Sequence, residues 1–229
     1  MECLVLWDID RTLVRTRGFG RGLLSSAFEA TTGLPLLHLP DMAGRTDRAL
    51  VTWILREHGV AADEPLIEAF YGYMVAAAAQ RAELMRANGT ALPGSAAAIA
   101  ALAQTPGVVQ SLVTGNLEPV ARQKLTVFGL AAGIDFDIGG YGHIGAQRAL
   151  LVGSACVRAQ AKYGTLPPPQ RIVVIGDTPH DIEGALACGV RAVGVATGRF
   201  SAADLRAAGA HAVLDSLADT AAVLSAAAA

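Results

Sequence analysis

The chain predicts an α/β fold: a doubly wound parallel sheet with a helical unit inserted after its first strand. Three observations carry this. Short apolar runs end abruptly in polar or glycine residues, helical stretches separate those runs, and one long segment shows helical patterns alone.

Residues 3–7, 108–113, 171–175, 192–195 and 212–214 read as strands. The first three are apolar nearly throughout, the signature of strands buried on both faces of a parallel sheet. Between them, residues 95–102 read as a helix after a Pro93-Gly94 start, and 119–127 as one with Pro119 at an early helical position. Residues 151–163 and 181–187 are helices that precede the later strands. From about residue 16 to 88 no run reads as a strand; 20–31, 47–58 and 64–87 are helical, parted by turn material at 33–40 and 59–63. The expected organisation is therefore a core from 1–15 and 89–229 with an inserted helical unit at 16–88. The alanine-rich end after Leu217 reads as a terminal helix that frays.

Composition narrows the function classes. The chain has 229 residues, 52% hydrophobic and 17% charged, with a formal charge of −2. That excludes a disordered chain and gives no basic field of the kind nucleic acid requires. The apolar stretch 91–103 is cut by Pro93 and Gly94, and a bilayer span takes about 20 residues, so no membrane partner is expected. The start, MECLVLWDID, lacks a basic leader before a long apolar run. Cys3, Cys156 and Cys188 form no Cys-x-x-Cys pair and read as free thiols in a reducing cytosol, so the expected location is cytoplasmic.

The chemistry concentrates at three strand ends. The first strand runs into Asp8-Ile9-Asp10-Arg11-Thr12, whose two acids point the same way on an extended strand end. Paired carboxylates repel and call for a cation, a shared proton or a division of roles. The second strand ends in Thr114-Gly115-Asn116, which either presents donors to a phosphate oxygen or caps the next helix through Asn116. The third ends in Gly176-Asp177-Thr178-Pro179-His180-Asp181, where two more acids suit a hard divalent cation or a helix cap. All three lie at the carboxyl ends of parallel strands, where α/β sheets bind ligands, so they converge on one crevice.

With these motifs the chain resembles the haloacid dehalogenase-like hydrolases, with a Rossmann-like core and a helical cap of the kind found in phosphoglycolate phosphatases and β-phosphoglucomutases. Gly44-Arg45-Thr46-Asp47 also looks like a pattern of the phosphoglycolate phosphatase-like branch. The resemblance implies that Asp8 is the nucleophile and Asp10 the general acid/base. It implies Mg²⁺ held by Asp8, the Asp10 backbone carbonyl and Asp177 with Asp181 in support, and a phosphoryl group bound by Thr114 and the amides of Gly115 and Asn116. The third-motif cation, usually Lys, would be Arg148 or else Lys162. Arg45 is the cap residue singled out for substrate. Arg11 stands where such proteins often have Gly, and either reaches the site or points to solvent.

The resemblance implies a phosphatase acting on a small phosphorylated metabolite. The second acid, Asp10, disfavours dehalogenation at carbon, and the absence of any lysine before Lys124 argues against a Schiff-base phosphonate hydrolase. A sugar phosphomutase and a non-catalytic phospho-ligand binder are the alternatives. Phe70, Tyr71 and Tyr73 are expected in the cap interior and Trp7 in the core. Oligomeric state is not legible.

Overall fold

The structure is a computed structural model that describes residues 1–228. Five parallel strands form the main sheet in the order β4-β1-β5-β6-β7: β1 (Cys3–Trp7), β4 (Val108–Leu112), β5 (Ile172–Gly176), β6 (Arg191–Val195) and β7 (Ala212–Leu214). β1 lies between β4 and β5, with Cys3 opposite Val108 and Leu4 opposite Ile172. Every side chain of β1 and β5 is buried, as the continuous apolar runs required. Helices cover both faces: α5 (Ser95–Ala103) and α10 (Thr220–Ala228) pack against one another on one side, and α7 (Arg148–Tyr163) and α8 (Pro179–Ala187) on the other. Trp7 is fully buried and donates its indole N–H to Gln110 at 3.0 Å. The three cysteines are free.

A second, two-stranded antiparallel ribbon was not expected. β2 (Val14–Thr16) pairs with β3 (Gly89–Ala91), and the regular elements between them are all helices: α1 (Phe19–Thr32), α2 (Asp47–Glu57), α3 (Glu64–Gln80) and α4 (Ala82–Asn88). The ribbon carries the chain out of the sheet and back. The single helix expected over 64–87 is two, broken at Arg81, whose guanidinium donates to Ser26 of α1 at 2.7 Å. Local propensity has no cause to stop in that alanine run; the contact across to α1 accompanies the break.

The helical unit has its own apolar interior, built on Leu23, Phe28, Val51, Ile54, Phe70 and Met74. Tyr71 is buried there, while Tyr73 is 44% exposed, contrary to expectation. This interior also takes in Val120 of α6 (Glu118–Val127), the helix after β4, and Leu117, its N-cap. The unit is thus seated on the core through α6, where Gln123 also donates to the Ala78 carbonyl at 2.6 Å.

Candidate active site

The carboxyl ends of β1, β4 and β5 deliver the site. Asp8 follows β1 and is fixed by its N–H to the Ile175 carbonyl at 2.9 Å; it is 4% exposed. Beyond it the chain doubles back, with the amides of Leu13 and Val14 both donating to the Ile9 carbonyl. That tight turn puts Arg11 at φ +68, the left-handed region that costs any residue with a Cβ. A glycine is the natural occupant there.

Asp8, Asp177 and Asp181 converge, each offering a carboxylate oxygen within 4.8 Å of the others. Arg148, at the start of α7, faces them: its Nη2 stands 2.9 Å from Asp181 Oδ1 and 3.5 Å from Asp8 Oδ1. Thr12 donates to Asp8 Oδ2 at 3.3 Å and lies 3.5 Å from Asp177 Oδ1. Asp181 does two jobs. Its Oδ2 closes the capping box of α8 with Thr178, and its Oδ1 looks into the cluster. Lys162 is remote from all this, paired with Asp135 and Asp137 at 2.8 Å each, so Arg148 is the cation at the cluster.

One guanidinium does not balance three buried acids. Burial, followed by repulsion from Asp181, raises Asp8 well above the usual carboxylate range despite Arg148. The same causes push Asp177 up to about 8. Asp177 Oδ2 is buried with no hydrogen-bond partner among the described residues. Three hard oxygen donors, one of them orphaned, in a pocket short of positive charge fit a divalent cation such as Mg²⁺.

Asp10 stands apart from that cluster, and its side chain turns elsewhere. Lys124 Nζ is 2.5 Å and Asn116 Nδ2 2.8 Å from its Oδ2, and Thr16 donates to its Oδ1 at 3.4 Å. Lys124 also donates to Asn116 Oδ1 at 2.8 Å. Burial opposes the Asp10 carboxylate, but the Lys124 ammonium and these hydrogen bonds outweigh it and hold the group below its usual range. Asn116 therefore neither caps α6, whose N-cap is Leu117, nor stands free for substrate.

Lys124 escaped the sequence reading, although a signal was present. It shares the buried face of α6 with Val120, Ala121 and Leu125, an apolar register where a lysine needs a buried partner.

Thr114 is fully buried beside Asn116 and lines the cavity above Asp8. Gly115 has a more specific task. The Arg45 carbonyl sits where its Cβ would be, 2.2 Å away, and the Asp47 amide donates to the Gly115 carbonyl at 2.7 Å. The Asp47 carboxylate accepts from the Leu117 amide at 2.8 Å, and Arg48 N donates to the Gly142 carbonyl at 2.9 Å. On the other side Gly44, at φ +67, packs against Thr178 and His180. The segment Gly44-Arg45-Thr46-Asp47 thus lies across the mouth of the site, docked on two of its loops. Burial raises Asp47 to about 7. The cavity so enclosed is about 500 Å³, lined by Asp8, Asp10, Thr114, Arg148 and Asp177 on one side and by α1, α2, α3 and residues 39–45 on the other.

A parallel sheet with acids at its strand ends, roofed by an inserted helical unit, defines a class of capped α/β enzymes. The chain belongs to the haloacid dehalogenase-like hydrolases, whose family model matches residues 5–186. Among solved structures it is similar to a hydrolase from Pseudomonas syringae (20% identity, 98% of each chain covered, TM-score 0.69). It is also similar to a predicted phosphatase from Clostridium acetobutylicum (18% identity, 98% of this chain and 99% of that one, TM-score 0.68). In sequence, 95 residues are 34% identical to tyrosine-protein kinase PtkA of Mycobacterium tuberculosis, a match over 42% of this chain and 31% of that protein. The chain thus spans under a third of the length of that relative. Among the described residues, no helix is long and apolar enough to cross a membrane.

Proposed function

We propose that this hydrolase is a Mg²⁺-dependent phosphatase that cleaves a small-molecule phosphate monoester through an aspartyl-phosphate on Asp8. The observation that carries the reading is the division of acids: Asp8, Asp177 and Asp181 share one buried cluster, while Asp10 is held apart by Lys124 and Asn116.

In the first step an Asp8 oxygen attacks phosphorus, the ester P–O bond breaks, and the departing alkoxide takes a proton from Asp10. In the second, water gives its proton to Asp10 and attacks phosphorus; the bond to Asp8 breaks, releasing inorganic phosphate and the free carboxylate. The Lys124 pairing favours the charged form of Asp10, the form the second step needs; the proton it donates in the first step is brought by the singly protonated phosphate ester, and water returns one to Asp10 in the second. Asp8, Asp177 and Asp181 with the Asp10 carbonyl would hold Mg²⁺, which when bound supplies positive charge against an anionic ester beside an anionic nucleophile. Thr114 and the amides after it would bind the phosphoryl oxygens. Arg148 fixes Asp8 and Asp181.

We also assign residues 16–88 to a cap and 1–15 with 89–229 to the core, a division supported by the β2–β3 ribbon at both crossings. A seated cap excludes water and bulky phosphates.

The test is phosphate release from a panel of small esters with and without Mg²⁺, for the wild type and Asp8→Asn. Metal-dependent release that falls by about 10⁴-fold or more in the variant, the scale of losing a nucleophile, is expected. Release that survives in Asp8→Asn would overturn the reading.

A further inference from the structure

We propose that the cavity selects a phosphate monoester whose alcohol half has an apolar body ending in a second anionic group, and that it discriminates against polyhydroxylated sugars. This rests on the phosphatase reading of the same site.

The cap side of the cavity is unusual for what it lacks. Leu23, Leu24, Leu39, Met42, Leu50 and Met74 line it. The polar groups there are already engaged. Thr16 donates to Asp10, Asp47 accepts from Leu117, and Asp41 is paired with Arg199. No asparagine, glutamine, serine or histidine of the cap lines it. A sugar placed there would bury several hydroxyls against methyl groups, each losing its water without a replacement partner. An alkyl or aryl body would instead exchange water for that surface.

The rim is different. Arg21 from α1 and Arg45 from the docked segment line the cavity with Arg11 of the core. None of the three guanidiniums makes an ion pair or a side-chain hydrogen bond among the described residues. The transferring phosphoryl group meets its own cations at the floor, around Asp8 and Arg148. Of the three, Arg21 and Arg45 stand on the cap side, away from the acid cluster, and are suited to a carboxylate or second phosphate, which a guanidinium binds with two parallel hydrogen bonds.

The experiment uses two readouts. Wild-type kcat/KM is measured for phenyl phosphate, phenyl phosphates bearing a para carboxylate or a para second phosphate, phosphoglycolate and glucose 6-phosphate. Binding of the same ligands to Asp8→Asn is measured by calorimetry, so that recognition is scored whether or not turnover occurs. The para-substituted aryl esters are expected to lead phenyl phosphate, phosphoglycolate and glucose 6-phosphate by about ten-fold or more, the factor that about 1.4 kcal/mol confers. The two para groups then tell which anion is preferred. In Arg21→Met/Arg45→Met the ratio of para-carboxylated to plain phenyl phosphate should collapse toward one. Glucose 6-phosphate ranking above phenyl phosphate, or a ratio unmoved in the double variant, would overturn the proposal. Preferred binding of the para-substituted esters without any phosphate release would sink the phosphatase reading while leaving the recognition in place.

Discussion

On the core wall of the cavity, charged groups hold one another: Arg148 faces Asp8 and Asp181, and Lys124 and Asn116 fix Asp10. On the cap wall the arrangement is reversed. Its lining is mostly apolar, and among the described residues the guanidiniums of Arg21 and Arg45 make no ion pair. A charge that must be aimed at a reacting atom needs partners that fix it before substrate arrives. A charge that only has to recognise a ligand is more useful without a competing partner. The contrast assigns chemistry to the core and selection to the cap, and it can be attacked at four points.

The largest effect is expected where the walls meet. Asp47 is a buried acid of the cap whose carboxyl is raised to about 7. A group raised in the folded state favours folding below its unfolded pKa of about 3.9 and loses that contribution as pH rises through 7. At 1.36 kcal/mol per unit the shift amounts to about 4 kcal/mol. Asp47→Asn keeps an acceptor for the Leu117 amide but does not ionise. Urea unfolding at pH 4 and pH 8 should show wild type losing about that much stability relative to the variant. Asp8 and Asp177 shift the same way in both proteins and cancel. Parallel curves would mean that water reaches Asp47 and that the two walls are not sealed there.

Lys124→Met attacks the core wall. Asp10 would keep Asn116 and Thr16 but lose its closest partner, 2.5 Å away. The expected loss is about 10²-fold in kcat with little change in KM, toward the lower end of what a general acid/base supplies. The acidic limb of the kcat profile should move to higher pH, and Lys124→Arg should recover part of the rate. A rise in KM alone would put Lys124 on the selection side.

Gly115→Ala attacks the docking of the cap. Its Cβ would lie 2.2 Å from the Arg45 carbonyl, a backbone atom that can yield only if the segment 44–47 lifts. A fall of about ten-fold in kcat/KM is expected, with unfolding of the core unchanged, because small displacements of positioning groups are costly. Unaltered kinetics would show that chemistry does not require the cap to be seated this way.

What the sequence disclosed follows the same division. Asp8, Asp10, Thr114, Asp177 and Asp181 were legible because each sits at a strand end or in the first turn of the helix that follows, and strand ends are set by local apolar runs. The five strands of the sheet fell within a residue of expectation for the same reason. The β2–β3 ribbon was hidden because its strands, Val-Arg-Thr and Gly-Thr-Ala, are not apolar runs, and each exists only through a partner about 75 residues away, as Arg15 opposite Thr90 shows. Asn116 and Gly115 were noticed, but their work was not. One holds Asp10 and the other makes room for the cap, and both depend on segments distant in sequence. Lys124 was missed, and Asp47 was noticed only within Gly44-Arg45-Thr46-Asp47, because an isolated lysine or aspartate on a helix is ordinarily solvated, and only the packed fold places each in an interior.

The smallest expected effect concerns Arg11, which belongs to both walls: its backbone is in the core turn and its guanidinium lines the rim. Its left-handed φ of +68 costs about 1–2 kcal/mol for a residue with a Cβ. Glycine removes that cost but gives the unfolded chain more freedom, worth about 0.5–1 kcal/mol the other way. The Thr197 hydroxyl bond to the Arg11 carbonyl, at 2.5 Å, is a backbone contact and survives the change. Arg11→Gly should therefore be more stable by at most about 1.5 kcal/mol in urea unfolding. It should also weaken the preference for carboxylated esters less than loss of Arg21 and Arg45 together. Marked destabilisation would mean that the guanidinium holds the turn after all. The rim cations would then have to be counted with the fixed charges of the core.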